Sequence, residues 1–64
     1  MKLTINEMAI YIQEYMINRH GNSVSMRKIK DLIKRAIKKG KTDNWTTEQI
    51  YGAVIDACKR ELAA

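Results

Sequence analysis

Two short segments fix where helices begin in this chain. In Thr4-Ile5-Asn6-Glu7, the Thr4 hydroxyl can accept from the Glu7 amide while the Glu7 carboxylate accepts from the Thr4 amide, a reciprocal capping box. Leu3 and Met8 flank it at the spacing of a hydrophobic staple. Thr46-Thr47-Glu48-Gln49 repeats the device, with Trp45 and Ile50 as the staple pair. The first helix is expected to run to His20, where Gly21 can adopt the left-handed conformation that ends it. The third is expected to fray after Leu62.

Between them, Met26, Ile29, Ile33, Ala36 and Ile37 recur at helical spacing and Leu32 widens the stripe. Ser23 or Ser25 can cap this second helix, and Gly40 is expected to end it. The reading is an all-α fold: a compact three-helix domain with helices at about 4–20, 25–39 and 46–62, in one domain spanning 1–64. Gly52, inside the third helix, costs about 1 kcal/mol relative to alanine and is expected to admit a close approach by a neighbouring helix.

The chain has 64 residues and one cysteine. A single core in so short a chain supplies about 3–5 kcal/mol at best. No disulfide can form within the monomer, and one Cys with one His makes a poor soft-ligand set, so no metal and no cofactor are expected. Extra stability is therefore expected from tight packing or a partner subunit. The apolar pattern points the same way. Ile5, Met8, Ala9, Ile12, Tyr15 and Met16 share one face of the first helix, whereas Ile10 and Ile17 point away from it. On the third helix Tyr51, Ile55 and Leu62 extend the stripe of Ile50, Ala53, Val54, Ala57 and Cys58 sideways, and so wide an arc usually touches more than one neighbour. Ile10, Ile17, Tyr51, Ile55 and Leu62 are thus expected to form a partner or homodimer interface.

Charge is distributed unevenly. The formal net charge is +5, which favours polyanionic partners. Arg27, Lys28, Lys30, Lys34, Arg35, Lys38, Lys39 and Lys41 all fall within residues 27–41, beside a single acid, Asp31. The rest of the chain carries four basic and six acidic residues. Like charges spaced by four destabilise a helix, and Arg27 and Lys28 oppose the helix dipole in the first turn. An anion on that face would offset both costs, and phosphates would bind with counterion release. These eight residues are the expected nucleic-acid contacts. A solvated lysine-rich face and an acidic protein surface are the competing readings.

The first two helices, joined by a turn containing Gly21, have the order of a helix-turn-helix. Thr47 and Gln49 on the third helix could face bases, but Glu48, Asp56 and Glu61 share its exposed side and would meet phosphates. The second helix is therefore the expected contact element, suited to phosphates more than to base reading.

No convergent catalytic set is visible. His20 suits the last turn of the first helix, and Cys58 lies on an apolar stripe as a small core residue. The chain is not expected to be an enzyme or to take a small-molecule substrate. The longest apolar run, Met8-Ala9-Ile10-Tyr11-Ile12, is too short for a signal sequence or a membrane span, and a lone cysteine suits the cytoplasm. The expected function is a small DNA-binding regulator, dimeric. The alternative is an inhibitor or adaptor of phage or mobile-element type, using apolar surfaces of the first and third helices.

Overall fold

A computed structural model describes residues 4–63. It contains three helices, α1 (Ile5–His20), α2 (Met26–Asp43) and α3 (Thr47–Ala63), and no strand among the described residues. The fold is the expected all-α three-helix arrangement.

Both capping boxes form. The Thr4 amide donates to Glu7 Oε1 and the Glu7 amide to Thr4 Oγ1, each at 3.1 Å. The Thr46 amide donates to Gln49 Oε1 at 2.7 Å, and the Gln49 amide to Thr46 Oγ1 at 3.2 Å. Leu3, the outer half of the first expected staple, lies outside the described residues. Of the two serines proposed for α2, Ser25 is the cap, accepting from the Lys28 amide at 3.2 Å. Gly21 ends α1 with φ 72°, its amide donating to the Ile17 carbonyl at 2.9 Å.

Two glycines have roles other than those expected. Gly40 does not end α2, which continues to Asp43. Asn44 adopts the left-handed conformation instead, at φ 57°, as its short polar side chain allows. Gly40 is buried within α2, and a Cβ there would stand 3.3 Å from both Trp45 Cβ and Ile50 Cγ1. It is therefore Gly40 that admits a close approach, by the start of α3. Gly52 is exposed, and a Cβ there would meet nothing within 4 Å, so no helix approaches it. The expected connection from Gly40 to Trp45 shrinks to the residues between Asp43 and Thr47.

The core draws on all three helices: Met8, Ala9, Ile12 and Met16 from α1, Ile29, Ile33 and Ala36 from α2, Val54 and Cys58 from α3. α2 packs extensively against both neighbours, while α1 and α3 meet less. No polar or charged side chain is fully buried among the described residues, so the core contains no such group in need of a buried partner. Truncating a fully buried residue such as Ile33 to alanine costs about 2–5 kcal/mol, comparable to everything a core of this size supplies.

Candidate nucleic-acid interface

α2 is strongly amphipathic, with Ile29, Ile33, Ala36 and Gly40 buried on one side. This side is fixed by packing against two helices, so the cations interleaved with it are held toward solvent. No acid lies in the first turn, where Arg27 and Lys28 stand against the dipole. Arg27, Lys34, Arg35, Lys38, Lys39 and Lys41 are exposed, and Lys28 and Lys30 are half-buried. Toward the N-terminal end the surface forms an open depression of about 520 Å³ lined by Ser25, Arg27, Lys28, Lys30, Asp31 and Lys34.

The eight cations divide by their neighbours. Lys28 Nζ lies 3.2 Å from Glu61 Oε1 of α3, and Arg35 Nη2 lies 3.2 Å from Asp31 Oδ2 one turn away. Lys39 Nζ sits 5.7 Å from the centre of the Trp45 ring, within cation–π range. Arg27, Lys30, Lys34, Lys38 and Lys41 have no ion-pair partner among the described residues. The spacing of four identifies Asp31–Arg35 in the sequence. Lys28–Glu61 and Lys39–Trp45 depend on how α3 crosses α2, and no local pattern signals them.

On α3, Thr47 and Gln49 are exposed. The Gln49 carbonyl already accepts from the Thr46 amide, which ties its side chain back to the helix start. Glu48, Asp56 and Glu61 are exposed on the same helix.

The apolar residues singled out from the sequence fall into two groups. Ile10 and Ile17 on α1 are 49% and 50% exposed. Tyr51, Ile55 and Leu62 on α3 are half-buried and packed against the core, so much of the wide arc of α3 is covered within the monomer. Tyr11, which the periodicity did not single out, is 57% exposed. Its ring meets Tyr51 edge-on with centroids 5.3 Å apart. Partial burial, followed by the nearby Tyr11 and Glu7 groups, pushes the Tyr51 phenol above its ordinary range.

Cys58 is fully buried, and burial, reinforced by the Glu61 charge, pushes its thiol up. A thiol so placed is a poor nucleophile and a poor metal ligand. His20 is exposed in the last turn of α1, its ring centroid 6.4 Å from that of Tyr15. Among the described residues no group of three or more His, Cys, Asp or Glu is placed to hold a metal ion, and no helix is long and apolar enough to cross a membrane. Comparison with protein-family models, with curated proteins and with solved structures finds no match.

Proposed function

We propose that this protein is a small nucleic-acid-binding regulator that contacts phosphates, those of DNA foremost, through the cations of α2. It works by binding rather than catalysis, in a reducing, cytoplasmic setting that suits a single buried thiol. The observation that carries the reading is the concentration of charge. Eight cations share one helix whose opposite side is committed to the core, and five of them have neither an ion-pair nor an aromatic partner among the described residues. Unneutralised, that face repels itself; phosphates relieve the repulsion and release counterions. The order α1, short turn, α2 also suits presentation of α2 to a nucleic acid, as in a helix-turn-helix.

The test is binding of mixed-sequence DNA at low salt, by the unmodified chain and by one carrying Lys34→Ala, Arg35→Ala and Lys38→Ala. Binding that falls steeply with salt, with a flatter salt dependence for the variant, supports the reading. Absence of binding to any nucleic acid at low salt overturns it.

A second reading is favoured by Ile10, Tyr11 and Ile17, three large apolar side chains about half exposed or more on one helix. They fit a protein contact, either a homodimer seam or the surface of an inhibitor or adaptor. Sedimentation at two concentrations tests the dimer: a mass that stays monomeric at both excludes it.

A further inference from the structure

Taking α2 as the phosphate-contacting element, we propose that five of its cations form a single row that follows one strand of a double helix, so that the protein binds duplex DNA by its backbone and without sequence preference. Arg27, Lys30, Lys34, Lys38 and Lys41 succeed one another at intervals of three, four, four and three residues. At about 100° per residue, these intervals keep all five within an arc of about 80°. At about 1.5 Å per residue, the row is about 21 Å long. Four of the five are exposed and Lys30 is half-buried. Lys28, Arg35 and Lys39 stand beyond a gap of about 60° on the helix circumference, with Asp31 inside that gap. Each of the three is already engaged, by Glu61, Asp31 and Trp45 respectively. The basic face is therefore one available flank and one occupied flank, with an acid between them.

That asymmetry selects a mode of binding. A helix inserted into a major groove about 12 Å wide meets phosphates on both walls and base edges at its crown. α2 would bring to those places one flank already engaged by Glu61, Asp31 and Trp45 and, between its flanks, the carboxylate of Asp31. No Asn or Gln lies within α2 to pair with adenine. A helix laid alongside one strand needs only the row. One strand of a duplex carries a phosphate about every 3.4 Å of axial rise but winds about the axis as it climbs, so its phosphates lie about 7 Å apart along the strand and a row of about 21 Å meets about four of them. Flexible lysine stems take up the curvature of the strand.

The same residues disfavour a single strand. Proteins that hold single strands pair a basic track with aromatic rings on which bases stack. α2 contains no aromatic residue. Trp45, which follows α2, is half-buried next to Gly40 with Lys39 over its face.

The experiment titrates the full chain with a mixed-sequence DNA duplex of about two helical turns, between about 50 and 200 mM salt. About four phosphate contacts predict a log–log slope of about −3.6, or about 150-fold weaker binding across that range. Lys34→Ala, Lys38→Ala and Lys41→Ala should each make the slope shallower by about 0.9, whereas Lys28→Ala and Lys39→Ala should leave it in place. Circular dichroism of each variant confirms that its helices persist. A second duplex of unrelated sequence should bind equally, and a single strand of the same length more weakly. The row is overturned if Lys28 and Lys39 matter as much as Lys34 and Lys38, if the single strand binds as tightly as the duplex, or if one duplex is preferred by more than about tenfold. Any of those results leaves phosphate contact by α2 standing. Failure to bind duplex or single strand at the lowest salt removes both proposals together.

Discussion

Gly40 lies so close to Ile50 that a Cβ at position 40 would stand 3.3 Å from Ile50 Cγ1. The start of α3 thus rests on bare backbone midway between Ala36 and Asn44, and α2 passes the glycine without breaking. The closeness also brings Trp45 against α2, where Lys39 covers its ring.

The two helical glycines should respond oppositely to substitution. Gly52→Ala adds a methyl group in open space and should stabilise by about 1 kcal/mol through helix propensity. In a domain this small that raises the melting temperature by about 4–8 °C. Gly40→Ala has the same gain in propensity but must displace Trp45 and Ile50, so its net effect should be near zero. Gly40→Leu should lose about 1–3 kcal/mol by overpacking. Thermal unfolding of the three variants checks the contrast, and equal gains from both alanines would refute it.

Glu61→Gln should tighten DNA binding. Its carboxylate holds Lys28 at 3.2 Å, with the two side chains 37% and 47% exposed, so losing the pair costs at most about 1 kcal/mol of stability. The substitution removes a negative charge beside α2, the proposed phosphate-contacting helix, and releases Lys28. The salt slope should change little, because Lys28 stands off the row, and unchanged or weaker binding would count against this role for Glu61.

Cys58 should make stability fall at alkaline pH. Burial raises its thiol above the ordinary value of 9.0, so the native state holds the proton more tightly than the unfolded chain does. The resulting stability is complete below about pH 9 and is lost as pH rises through the native value. Denaturant titrations across that range should show a shallower alkaline decline for Cys58→Ala. In the unmodified chain, thiol reagents should react only as fast as the core opens.

At the acid end, Glu7 carries the corresponding signal with the opposite sign. Bonds from the Thr4 amide and then the Thr4 hydroxyl hold its carboxyl below the ordinary 4.5. Its contribution is present above that value and is lost as pH falls through the native one. The carboxyl should titrate below 4.5 by NMR, and Glu7→Gln should flatten the acid limb of stability. Cap loss can be read separately at α3, where Thr46→Ala should cost about 1 kcal/mol.

What the sequence determined was local. The capping boxes at Thr4 and Thr46, the left-handed Gly21 and the apolar stripe of α2 each rest on residues within about one helical turn of one another, so backbone geometry alone makes them legible. The crowding of cations into residues 27–41 is equally plain in one dimension. Tertiary structure decided whatever depends on how helices cross. It turned Gly40 from a terminator into a packing site, because a missing Cβ has value only where another helix arrives. It buried much of the apolar arc of α3 against its neighbours, leaving Ile10, Tyr11 and Ile17 on α1 as the most exposed large apolar side chains among the described residues. It also divided the basic face, because Glu61 and Trp45 reach α2 only through the fold, and so separated the row from Arg27 to Lys41 from the cations already engaged.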